Sequence, residues 1–168
     1  MKKIRLFCLV TGMLIVLSAC NSEKANTLPE KKPEQFNFHI KYGIGGKNEV
    51  DNFQHKIVKD LIADGVATAE NFSFTEEEME SIYRELREAN VLEDKDLIKK
   101  DNCHQTPYSS YYLKVQIDGK EKEYEWSDEN CSMTRDAEEL TDVVGYIRDI
   151  VVKTDAYKRL PAASGGYD

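Results

Sequence analysis

The stretch Tyr111-Tyr112-Leu113-Lys114-Val115-Gln116-Ile117-Asp118-Gly119-Lys120-Glu121-Lys122-Glu123-Tyr124-Glu125-Trp126 decides the fold class. Apolar residues alternate with polar ones in both arms, and the Asp118-Gly119 pair between them tolerates the positive φ angles of a type I′ turn. A two-residue loop sets Leu113 opposite Tyr124, Tyr111 opposite Trp126 and Lys114 opposite Glu123. One face is then apolar and the other charged across both strands. Sliding the register by one residue would mix the faces, so the pattern specifies its own pairing.

Upstream, Phe36, Phe38, Ile40 and Tyr42 alternate with Asn37, His39 and Lys41, the period of a strand with one buried face. The segment Gly43-Ile44-Gly45-Gly46-Lys47-Asn48 ends that alternation. It reads as a turn rather than a phosphate loop, because Lys47 leads to Asn48 and Glu49 and not to a Ser or Thr opening a helix. A second hairpin is expected from 57–63 and 66–74 about Asp64-Gly65, with Lys59 opposite Glu70 and Ile57 opposite Phe72.

Thr75 with Glu78 three residues on matches a capping box, and Glu76 and Glu77 place negative charge where a helix start favours it. Met79, Ile82, Tyr83, Leu86 and Ala89 then recur at helical spacing. A second helix is expected over 135–154, where Ala137, Leu140, Val143, Val144, Ile147, Ile150 and Val151 form a stripe and Asp136 precedes Glu139 by three. Leu160-Pro161 should end the ordered segment and residues 165–168 should fray. The expected fold is α+β: an antiparallel sheet built from hairpins with two amphipathic helices packed on one side.

At the amino terminus Lys2, Lys3 and Arg5 precede an apolar run from Leu6 to Leu17, the layout of an export signal. The run is too short for a permanent membrane span. The four residues Leu17-Ser18-Ala19-Cys20 resemble the lipobox of bacterial lipoproteins. That resemblance implies removal of residues 1–19 by signal peptidase II, diacylglycerol on Cys20, and anchoring at the extracytoplasmic face of the cell membrane by lipid alone. Acyl chains contribute about 0.8 kcal/mol per buried methylene, enough for two or three to hold a protein without a spanning helix. In layout the chain is also similar to small lipoproteins of unknown role in Gram-positive bacteria, a likeness that implies no site residues. Residues 20–35, rich in Asn, Ser, Glu, Lys and Pro, are expected to be a flexible tether. Residues 36–168 then form a single domain.

The chain carries 23 basic and 31 acidic residues, and loss of residues 1–19 leaves 20 against 31, a formal charge of −11. Such a surface disfavours nucleic acid and anionic headgroups as partners. Cys8 leaves with the signal and Cys20 takes the lipid, so Cys103 and Cys131 remain. In an exported, oxidising location they read as one disulfide, worth roughly 3–4 kcal/mol for a loop of that length. A metal site of Cys103, His104 and Cys131 would need adjacent ligands without the usual spacer. No metal or cofactor is assigned.

The chain lacks a Gly-x-Ser-x-Gly elbow, a His-Glu-x-x-His pair and an EF-hand loop, and so gives no catalytic residue. His39, His55 and His104 read as surface residues. Tyr108 and Tyr112 mark a candidate binding surface, since Tyr112 projects on the face of Lys114 and Glu123 and Tyr108 sits in the loop beside the cysteines. The expected function is a membrane-anchored binding or interaction module for a protein or small molecule. The alternatives are an inhibitor or immunity-type lipoprotein, or an enzyme whose site no motif announces.

Overall fold

The computed structural model describes residues 28–100 and 102–167. The expected export signal, Cys20 and the first part of the expected tether lie outside them. The described elements are β1 (Phe36–Tyr42), β2 (Asn48–Asp51), β3 (Lys56–Asp60), β4 (Val66–Ala69), α1 (Glu76–Glu88), β5 (Ser110–Ile117), β6 (Lys120–Ser127), α2 (Arg135–Val151) and α3 (Asp155–Lys158). The strands form one six-stranded antiparallel sheet in the order β4-β3-β2-β1-β5-β6, so the fold is α+β. None of the described helices is long and apolar enough to cross a membrane.

The hairpin at Asp118-Gly119 has the register its alternation demands: Leu113 pairs with Tyr124, Tyr111 with Trp126 and Lys114 with Glu123. Both turn residues have positive φ, 49° and 75°. Strand β1 lies against β5, with Ile40 facing Leu113 and Phe38 facing Val115. Phe38, Ile40, Leu113 and Val115 are fully buried. They join Ile82 and Leu86 of α1 and Leu140, Val144 and Ile147 of α2 in a single apolar cluster. Burial of large apolar side chains, at roughly 1.5–3 kcal/mol each, supplies the main driving force.

Four expectations are corrected. The hairpin between β3 and β4 pairs Lys59 with Ala67 and Ile57 with Ala69, not with Glu70 and Phe72. Its loop spans five residues, closed by Leu61 N–H on the Gly65 carbonyl at 2.8 Å, while the Leu61 carbonyl and Ala63 N–H turn outward to the carboxy-terminal segment. Ala63 N–H donates to the Ser164 carbonyl at 3.1 Å, and Ser164 N–H donates to the Leu61 carbonyl at 3.2 Å. The carboxy-terminal segment is therefore docked rather than frayed, with the Tyr167 hydroxyl on the Asp60 carboxylate.

The helix α2 is capped by Thr134, whose hydroxyl accepts from Ala137 N–H, and not by Asp136. Asp136 instead accepts from the Asp96 backbone N–H at 2.8 Å. Finally, residues 28–35 do not behave as a tether. Leu28 is buried in the core cluster, Tyr83 Oη donates to the Pro29 carbonyl at 2.7 Å, and Asp118 N–H donates to the Gln35 carbonyl at 2.9 Å. One leucine in a polar stretch suffices, because helix α1 also holds its backbone, Arg87 Nε donating to the Leu28 carbonyl at 3.3 Å. Strand β2 was not foreseen either. Its four residues include one apolar side chain, Val50, which is too little alternation to read as a strand.

Candidate functional site

At the Tyr42 end of β1 the sheet meets three loops. Gly43, Gly45 and Gly46 turn the chain with φ of 85°, 64° and 64°, conformations that glycine adopts without strain. A side chain at 43 would bring its Cβ to 2.9 Å from Asn48 Nδ2. The turn is tied to the start of β5, where Ser110 N–H donates to the Gly43 carbonyl at 2.9 Å. Between this turn, the 97–99 segment and the loop leaving β6 opens a cleft of about 520 Å³. That volume falls in the usual range for small-molecule sites.

The cleft walls include Tyr108, Tyr111, Tyr112 and Trp126 among the aromatics, with Lys41 and Glu125 among the charges. Tyr111 and Trp126 stack with ring centroids 5.2 Å apart and planes within 11°, and Trp126 Nε1–H donates to Thr141 Oγ1 at 2.9 Å. These two form a fixed floor. Tyr112 is half-buried, 5.2 Å from the His39 ring and 5.9 Å from Lys41 Nζ. Burial, and then the neighbouring Glu123 carboxylate, raises its phenol above the ordinary range. Ile98, also on the wall, is 71% exposed.

The two cysteines are joined, 28 residues apart in sequence, in a disulfide. It fixes the outer wall. Gln105 N–H donates to the Glu129 carbonyl at 2.8 Å, Ser109 N–H donates to Asp128 Oδ1 at 2.7 Å, and Asn130 Nδ2–H donates to the Lys99 carbonyl at 3.0 Å. The loops before β5 and after β6 are thus bonded to each other and to the 97–99 segment. Tyr108 and Tyr112, singled out in the sequence, line one cavity together, while Lys41, Ile98 and Trp126 reach it from elements distant in the chain.

On the polar face of the sheet, beyond Tyr112, lie His39 of β1 and Glu49 and Asp51 of β2. Each offers one ligand atom, and the three atoms lie within 4.8 Å of one another. His39 is largely buried rather than a free surface residue, its side chain 16% exposed. The sequence signal was the alternation Glu49-Val50-Asp51, with Val50 facing the core, but it has meaning only once β2 is paired with β1. His55 and His104 are exposed and take no part in either cluster.

No protein-family model, curated protein or solved structure matches the chain.

Proposed function

We propose that the protein is a lipid-anchored extracytoplasmic binding module whose ligand enters the cleft at the Tyr42 end of the sheet. One observation carries the reading: Tyr108, Tyr112 and the exposed Ile98 converge on one cavity of about 520 Å³ held by a disulfide-braced loop pair. Aromatic and apolar side chains rimmed by a few charges suit recognition of a partially apolar ligand. The reading takes the two amphipathic helices to cover one side of the sheet, leaving the other side and the cleft open to a partner. The anchor rests on the lipobox resemblance at Leu17-Ser18-Ala19-Cys20.

The chain has a single tryptophan, Trp126, and it lines the cleft, so its emission reports occupancy directly. Titration of the full chain with short aromatic peptides and with oligosaccharides should give a saturable change for one of these classes. Tyr108→Ala and Tyr112→Ala should each weaken that ligand at least about tenfold, the loss of an anchor aromatic. Equal affinity in both variants would refute the cleft. Membrane retention of a Cys20→Ala protein at the parent level would refute the anchor.

A second reading, an inhibitor or immunity-type role, is favoured by the exposed Glu121, Glu123 and Glu125 along the edge strand β6. Capture of a basic protein that weakens steeply with salt, and survives Tyr108→Ala, would favour it over the cleft.

A further inference from the structure

We propose that His39, Glu49 and Asp51 form a site for a divalent cation of the zinc class on the polar face of the sheet. The proposal stands independently of the cleft. His39 and Asp51 are directly opposite each other on β1 and β2, and Glu49 lies one pleat further along β2 on the same face. Both strands are interior to the sheet, so their backbones hold the three side chains in fixed relation. One imidazole nitrogen and two carboxylate oxygens, all within 4.8 Å, make a mixed donor set. Imidazole with carboxylates suits zinc and its first-row neighbours, and three protein ligands leave a position for water or a ligand.

The independent observation is the state of the imidazole. Nε2 of His39 is buried and makes no hydrogen bond. The Glu49 carboxylate oxygen is only 2.7 Å away, yet no hydrogen bond joins the two, so a nitrogen and an oxygen donor stand side by side. Buried polar atoms are satisfied in the great majority of cases, and an unmet one calls for a partner such as an ion. Around a tetrahedral zinc the donor atoms stand about 3.3 Å apart, given bonds of about 2.0–2.1 Å. Only a small side-chain rotation separates the His39–Glu49 spacing from that value.

The surroundings support the arrangement. Asp51 is 3% exposed, and its Oδ1 accepts from the backbone N–H groups of Phe53 at 2.9 Å and Gln54 at 3.0 Å, which orients the carboxylate. The Tyr112 ring packs edge-on against the imidazole. Lys56 Nζ, 3.4 Å from Glu49 Oε1, supplies the counter-charge that an incoming cation would replace.

The test uses the full chain with its disulfide intact, stripped with chelator and titrated calorimetrically with zinc chloride, then with cobalt chloride to read ligand-field absorption. One equivalent should bind, with cobalt bands showing nitrogen and oxygen donors. His39→Ala and Glu49→Gln should each weaken zinc by at least about a hundredfold, beyond the roughly 10–100-fold of a change behind the ligands. Lys56→Met should tighten it, whereas Tyr108→Ala should leave it unchanged. Circular dichroism checks that each variant folds, and the near-isosteric Glu49→Gln decides should His39→Ala unfold. Absence of saturable one-to-one binding, or parent affinity in Glu49→Gln, overturns the site.

Discussion

The hydroxyl of Tyr124 donates to the Val91 carbonyl at 2.9 Å and also lies on the carbonyl of Glu93. Burial, and then the carboxylates of Asp94, Asp136 and Glu93, push its ionisation up to about 12. The unfolded chain would lose this proton near pH 10 while the folded chain keeps it. Stability is therefore complete below about pH 10 and falls as pH rises toward 12, because the unfolded state binds fewer protons there. Thermal melts of Tyr124→Phe should show a shallower decline across that window than the parent. An identical slope would mean that other phenols, such as Tyr42, dominate. The place of Tyr124 opposite Leu113 was legible from alternation, but the two carbonyls were not. They come from the segment after α1, and no local pattern says where an irregular segment will lie.

Elements with their own stop and start signals were readable, and those completed by distant chain were not. Thr75 and Glu78 form a full capping box, each side chain bonded to the other's backbone N–H. Thr75→Ala should cost about 1 kcal/mol, measured by denaturant unfolding. The β3–β4 loop shows the opposite case. Its Asp64-Gly65 pair promised a two-residue turn, yet Leu61 N–H closes a five-residue loop on the Gly65 carbonyl, and the Leu61 carbonyl and Ala63 N–H go to the Ser164 backbone. Ending the chain after Ala163 removes these bonds and the Tyr167–Asp60 contact. Amide exchange at Ala63 should then quicken by about five- to a hundredfold, the loss of roughly 1–3 kcal/mol in hydrogen bonds. Exchange in β5 and β6 should hold. Uniform acceleration would show that the tail stabilises the whole domain instead.

Taken whole, the molecule has one apolar cluster, and its cleft is braced from outside that cluster. Replacing Cys103 and Cys131 together with Ser should lower stability by about 2–4 kcal/mol in chemical denaturation, the range for loops of this length. The pairing of the two cysteines and the apolar sheet face were legible, since both follow from residue type and period. The convergence on the cleft was not, because Lys41, Ile98 and Trp126 meet only after the sheet order β2-β1-β5-β6 is set. At the other end, Leu28→Ala should cost about 2–3 kcal/mol if that residue seals the core as its 7% exposure indicates. A loss below about 0.5 kcal/mol would return the segment to tether.

With the lipid proposed on Cys20, that docked leucine would set a leash length. Counted from Phe36 rather than Leu28, a lipid on Cys20 would let the domain roam about 55 Å; counted from Leu28, eight residues reach at most about 29 Å. Pro29, next to Leu28, bonds Tyr83, which packs on Phe36, whereas the cleft opens at the Tyr42 end of β1, about 20 Å further along the strand. A domain moored in this way would stay close above the bilayer, with its tether and its cleft at opposite ends of the central strand.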